Sequence, residues 1–203
     1  PFMAGTVGTA MRVSSSSDAD TSGSTGALTV RLTYLDRNYA PGTEDITMSG
    51  TAYATTTATD IYRVNAFRVE TAGGSAKAVG ALTLENASGG TVYGYITPNY
   101  TRGRNSAYTV PAGKSLYLVG VNYGYGVAAN QVNYARMMLR ANQNDGVKSG
   151  NVFHPLSEVI VNNAEVVANF DLPIKVVEKV DIIVAGSATA AGIADCVMRG
   201  WLE

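Results

Sequence analysis

The sequence predicts an all-β protein, a jelly-roll-like β-sandwich of about 10–12 short antiparallel strands with little or no helix. Three observations predict it. Short stretches rich in Val, Ile, Leu, Thr and Tyr recur between clusters of Gly, Asn, Asp and Ser, at the spacing of roughly 8–12 residues expected of a sandwich or barrel. Several of these stretches alternate: in the run Leu28 to Tyr34, the apolar members Leu28, Val30, Leu32 and Tyr34 share one face, because strand side chains flip sides at each residue. Helical periodicity is weak throughout. Its nearest candidates are Gln131–Ala141, where Tyr134, Met138 and Leu139 could share a helical face, and Ser157–Ala164; Asn and Gly on both flanks favour a strand for the first.

Taken in order, strands are expected near Thr9–Ser15, Leu28–Leu35, Glu44–Met48, Ile61–Glu70, Gly80–Asn86, Thr91–Ile96, Ala107–Val110, Ser115–Tyr123, Asn133–Ala141, Val166–Asp171, Val180–Ala185 and Asp195–Leu202. The breakers between them carry specific meaning. Ser88-Gly89-Gly90 reads as a hairpin turn in which glycine supplies positive φ, and Pro111-Ala112-Gly113-Lys114 joins its neighbours in the same way. The Ser/Thr/Gly/Asp stretch Ser14–Gly26 lacks the apolar groups that order a segment by burial, so a flexible loop or arm is expected. Residues 1–26 are thus expected as a strand followed by that loop, and residues 27–203 as a sandwich, with a division into two subdomains near residue 103 as the alternative.

Composition narrows function by exclusion. The chain has 203 residues, and charged residues make up 15 % of them, against about a quarter in ordinary soluble domains. Polarity must come from neutral groups, which suits a surface shown to other copies of itself. Fifteen basic residues stand against 16 acidic ones, so no basic field exists to hold a nucleic-acid backbone. No long apolar run marks a membrane span. Pro1 is not a translational start, which predicts an upstream segment. A single cysteine, Cys196, cannot form an internal disulfide.

Catalytic constellations are hard to assemble. The only histidine, His154, stands before Pro155 in an apolar setting, and triads of the Ser-His-Asp or Cys-His kind need one. One His and one Cys do not make a zinc site. Glu44-Asp45, Asp171 and Asp181 lie in or beside predicted strands, where solvated edge charges are the ordinary reading. Asp18-Ala19-Asp20 begins like a calcium loop, yet Thr29 stands where a bidentate Glu is required. Gly73-Gly74, Gly89-Gly90 and Gly124-Tyr125-Gly126 lack the strand-to-helix context and lysine of a phosphate cradle. Cys196, between Asp195 and Val197 in the last strand, reads as a small buried hydrophobe. No catalytic residue, cofactor or metal is therefore expected.

Tyrosine is the one enrichment: 12 Tyr against four Phe and one Trp. A ring with one apolar body and one wet tip suits interfaces, which makes Tyr93, Tyr95, Tyr100, Tyr123 and Tyr125 the candidate interface residues. The run Tyr123-Gly124-Tyr125-Gly126 is expected to project from a loop toward a partner subunit or a sugar. The competing account is that tyrosine is simply a good strand former on a half-buried sheet.

An ordered series of segments resembles virion structural proteins of tailed bacteriophages, notably marine ones. It runs through Leu32-Thr33-Tyr34-Leu35-Asp36-Arg37-Asn38-Tyr39, Glu44-Asp45-Ile46-Thr47-Met48-Ser49-Gly50-Thr51, Ala58-Thr59-Asp60-Ile61-Tyr62-Arg63-Val64-Asn65 and Val69-Glu70-Thr71-Ala72-Gly73. It continues at Ile96 to Tyr100, in Tyr108-Thr109-Val110-Pro111-Ala112-Gly113-Lys114-Ser115-Leu116-Tyr117-Leu118, and in Leu172 to Val176 leading to Glu178-Lys179-Val180-Asp181-Ile182. The resemblance implies a virion part without catalytic residues. The expected role is capsid decoration, with head-fibre or tail attachment to the host as the alternative. The expected partners are further copies of the chain, as a trimer, and the major capsid protein or other virion proteins, with no nucleic acid and no membrane.

Overall fold

The structure, a computed structural model, describes residues 8–103, 106–126, 134–142, 152–189 and 192–203. Pro1 and the first residues of the stretches expected from Gln131 and from Asn133 lie outside the described residues. The chain is all-β, with fourteen strands in antiparallel sheets and no helix among the described residues. It divides into two compact units, Pro1–Asn105 and Ser106–Glu203.

In the first unit a four-stranded sheet has the order β4 (Ala54–Thr55), β1 (Met11–Ser15), β6 (Leu82–Asn86), β7 (Val92–Ile96), and a three-stranded sheet has the order β3 (Pro41–Thr47), β2 (Ala27–Asp36), β5 (Ile61–Ala72). Both sheets contribute to one core, with Met11, Val13, Leu82, Leu84 and Ile96 from one and Val30, Leu32, Ile46 and Phe67 from the other. Alternation places Val30 and Leu32 inward as expected. At the ends of β2 the register against β5 slips several times, so Leu35 is fully buried while Leu28 and Tyr34 are half-buried. Gly94 on β7 leaves room for the Phe67 ring, which a Cβ there would meet at 3.1 Å. The expected turn between β6 and β7 is formed by Gly89 and Gly90, both at positive φ.

The segment expected as a flexible Ser/Thr/Gly loop is instead fastened by a buried carboxylate. Asp20 is fully buried; its Oδ1 accepts the amides of Ala27 at 2.7 Å and Val79 at 2.9 Å, and its Oδ2 accepts the Ser15 hydroxyl at 2.6 Å and the Gly80 amide at 2.7 Å. Polar donors order what apolar burial does not. Burial acting alone raises the Asp20 carboxyl, but the hydrogen bonds from Ser15 and from the Val79, Ala27 and Gly80 amides outweigh it and hold the pKa below the usual range. Asp18 accepts the Thr51 amide and hydroxyl, so the oxygens that suggested a calcium loop bind donors of the chain itself.

The second unit pairs a four-stranded sheet, β11 (Phe153–Val161), β10 (Ala135–Asn142), β13 (Asp181–Ala188), β8 (Ala107–Thr109), with a three-stranded one, β12 (Ala164–Val176), β9 (Leu116–Gly126), β14 (Ile193–Leu202). Leu118, Val121 and Tyr123 from β9 meet Met137 and Leu139 from β10 and Ile182 from β13 in its core. Asp181 is buried and held by the Thr109 hydroxyl at 2.6 Å and the Asn142 amide at 3.1 Å. The Gln131–Ala141 stretch is a strand from Ala135, and Ser157–Ala164 covers the end of β11 and the turn into β12 rather than a helix. Among the described residues each unit pairs a four-stranded antiparallel sheet with a three-stranded one, a sandwich-like arrangement whose strand orders do not by themselves establish the expected jelly roll. Alternation reveals which face of a strand is buried; it does not reveal its neighbour.

Candidate binding face

The five candidate tyrosines do not form one site. Tyr95 and Tyr100, in the first unit, are about half exposed, and Tyr93 is partly buried against that unit's core. Tyr123 and Tyr125 correct the expectation outright: they lie inside β9, the central strand of its sheet, and are 0 % and 3 % exposed. Gly124 between them and Gly126 after them suggest a loop, but alternation sends Val121, Tyr123 and Tyr125 inward and places Gly124 on the outer face. Burial pushes the Tyr123 phenol above its ordinary pKa.

The other candidates are structural or solitary. Glu44 accepts the amides of Thr57 and Ala58 and the Thr57 hydroxyl, Asp45 binds Arg31, and Asp171 lies exposed on β12. His154 sits opposite Ala141 on the edge strand β11.

What the fold does assemble is the outer face of the β12-β9-β14 sheet. Its register stacks three rows across the strands: Glu165, Gly124, Asp195; then Val167, Asn122, Val197; then Asn169, Gly120, Arg199. Past a bulge a fourth row holds Lys175, Tyr117 and Trp201. Glycine in the central strand opens a trough into which the flanking side chains fold. A Cβ at Gly124 would run into the Asp195 carboxylate, and one at Gly120 would come within 2.5 Å of an Arg199 guanidinium nitrogen. Asn122 donates to Glu165 Oε1 at 3.1 Å, and Arg199 Nη2 donates to Asn169 Oδ1 at 2.6 Å. Arg199 Nε is buried and has no hydrogen-bond partner among the described residues. At the far end the Tyr117 and Trp201 rings stack with centroids 5.3 Å apart, and Lys175 Nζ lies 5.7 Å from the Tyr117 centroid.

This face is also open. Val167 is 50 % exposed, Val197 57 % and Trp201 44 %, and a cavity of about 430 Å³ lies over Asn122, Gly124, Glu165, Asp195 and Val197. The opposite side of β14 is closed: Cys196 turns inward against Tyr123, and burial, with a contribution from the Asp195 charge, pushes its thiol up to about 11. The face offers carboxylates, amides, a guanidinium and apolar surface, a set suited to recognition.

Sequence reasoning passed over this face. Its signal was present as the alternation Asp195-x-Val197-x-Arg199-x-Trp201 and Glu165-x-Val167-x-Asn169, but nothing local says that these two stretches flank the same strand. No known protein family, curated protein or solved structure matches the chain.

Proposed function

We propose that the chain is a non-catalytic structural protein of a larger assembly, namely a virion component of a tailed phage that decorates the capsid and binds through its second unit. The observation that carries the binding role is the outer face of β12-β9-β14, where Asp195 and Arg199 lack an ion-pair partner among the described residues and Val167 and Val197 stand exposed beside them. Groups of this kind on one flat sheet gain most from a protein surface that covers them. The phage assignment rests on the ordered sequence resemblance, which covers most of Leu28 to Leu202. Low charge adds to it, since neutral surfaces pack many copies with little repulsion.

The test is to add purified protein to phage heads lacking decoration and to locate a label by electron microscopy. Saturable binding at lattice positions is the expected outcome. Binding at the tail alone, or none to any particle part, would sink the decoration role. A host-attachment role is the second reading, favoured by the half-exposed rings of Tyr95 and Tyr100. Retention on host-surface glycan that disappears in Tyr95→Ala and Tyr100→Ala would select it.

A further inference from the structure

The outer face of β12-β9-β14 carries its charges in an order that is complementary to itself. Reading along the two flanking strands, β14 presents Asp195, Val197 and Arg199, and β12 presents Glu165, Val167 and Asn169. In each case the end residues are a hydrogen-bond acceptor and a donor, and the middle is an exposed valine. We infer that this face pairs with the same face of a second copy of the chain, across a two-fold axis that runs across the strands at the level of Asn122. This rests on the reading of the chain as an assembly protein and gives that reading a specific surface.

The geometry follows from symmetry. A two-fold contact is isologous, so each residue meets the residue at the mirrored level. With the axis at the central row, Asp195 meets the partner's Arg199 and Arg199 meets the partner's Asp195. Glu165 meets the partner's Asn169, and Val167 and Val197 meet their own counterparts in the middle. An axis running along the strands would instead place carboxylates on carboxylates, which electrostatics disfavours. Sheets packed face to face in this way lie about 10 Å apart, and because Asp195 and Arg199 fold over Gly124 and Gly120 in the centre, the charged groups lie close to the sheet and leave the valines of the middle row to meet.

The isolated unit leaves the charges ready for this. Asp195 and Arg199 lie four residues apart on β14, about 13 Å at strand rise, beyond ion-pair reach of each other. Among the described residues Arg199 donates to the Asn169 side-chain oxygen and to no carboxylate. Three strands of about ten residues give a face of about 14 by 33 Å. That corresponds to a total buried area on the order of 1,000 Å², at the low end of specific interfaces, so micromolar affinity is expected. Pairing in twos also means that the trimer expected from the sequence would need a different surface.

The experiment is a charge swap read by sedimentation equilibrium. The native chain should dimerise at micromolar concentration, and Asp195→Arg and Arg199→Asp should each weaken dimerisation at least about tenfold, because each turns both ion pairs into like-charge contacts. An equimolar mixture of the two variants should associate again, since every cross-contact in the mixed pair is of opposite sign. Val197→Asp, which leaves the Arg199–Asn169 bond in place, should weaken dimerisation independently. Recovery in the mixture supports the pairing. A mixture no better than its parts, variants that dimerise like the native chain, or a native chain monomeric throughout would overturn it. Capsid binding by such a monomer would leave the decoration role standing, whereas a dimer sensitive to the swap that binds no particle would overturn that role alone.

Discussion

On the outer face of β3-β2-β5 in the first unit, Arg31 binds Asp45 through two bonds of 2.7 Å and reaches Glu70 at 2.9 Å, while Arg68 closes the group at 3.1 Å from Glu70. On the corresponding face of the second unit's three-stranded sheet, Asp195 and Arg199 are separated on that face by Val197, and neither has an ion-pair partner among the described residues. The two faces use the same residue types on the same kind of sheet. In one, opposite charges sit directly across neighbouring strands, as Arg31 does from Asp45; in the other they sit along one strand, too far apart to meet. Cross-strand placement satisfies charge within the chain, whereas placement along the strand leaves it for another molecule. Exposed apolar groups follow the same division: the first unit's are Tyr53, Val79, Val92, Tyr95 and Tyr100, while the second's include Ile160, Val167, Leu172, Val197, Trp201 and Leu202.

The contrast depends on the facing of β14, and cysteine chemistry tests that facing with the largest expected effect. With its thiol pushed up from the ordinary 9.0 to about 11, Cys196 carries roughly a hundredfold less thiolate at pH 8 than an unperturbed cysteine. Diluted well below the micromolar range of the proposed dimer, a Val197→Cys, Cys196→Ala chain should therefore alkylate far faster than the native one, as timed by mass spectrometry. Comparable rates would mean that β14 presents both residues to solvent, and the three-row face would dissolve.

Asp20 tests whether the first unit's ordering rests on polar contacts in the way its surface does. Asp20→Asn keeps the shape but sets an NH2 group against donors that now point at an oxygen, namely the Ser15 hydroxyl and the amides of Ala27, Val79 and Gly80. The expected loss is about 2–3 kcal/mol in the stability of the first unit, measured by denaturant unfolding. Acid supplies a second reading of the same contact. Because the folded carboxyl is held below its usual value, the folded state binds fewer protons, and the contribution is fully present above the unfolded pKa near about 3.9. It is lost as pH falls through the lower folded value. The Asn variant should lack that step.

How far the residues announced this architecture varies with the range of the interaction. Strand faces were legible: β5, β6, β7 and β9 begin within two residues of where alternation places them, and Gly89-Gly90 forms its turn. Strands without alternation were not: β4 has two residues, and β11 breaks its pattern at His154-Pro155, where its register with β10 slips. Asp20 was hidden in a stretch that looks disordered by composition, because four of its partners come from residues 15, 27, 79 and 80. Tyr123 and Tyr125 misled because tyrosine flanked by glycine looks the same in a loop and in a central strand. The binding face depends on β12 and β14 flanking β9, a non-local pairing that no window of sequence contains.

The smallest expected effect is at Arg31, and it sharpens the comparison from the other side. Its side chain is 33 % exposed and its partners Asp45 and Glu70 are 45 % and 26 % exposed, so solvent screens the group and its pairs contribute little to stability. Removing the guanidinium while keeping apolar contact with the sheet, as in Arg31→Met, should lower the first unit's stability only slightly. It should leave self-association unchanged, because these charges are already satisfied within the chain. Arg199→Asp should show the reverse pattern, a marked loss of association for a modest change in stability. Both variants measured by the same unfolding and sedimentation experiments give four numbers. If Arg31→Met weakens association as much as Arg199→Asp does, in-chain pairing does not distinguish a closed sheet face from an open one, and the assignment of the binding role to the second unit loses its basis.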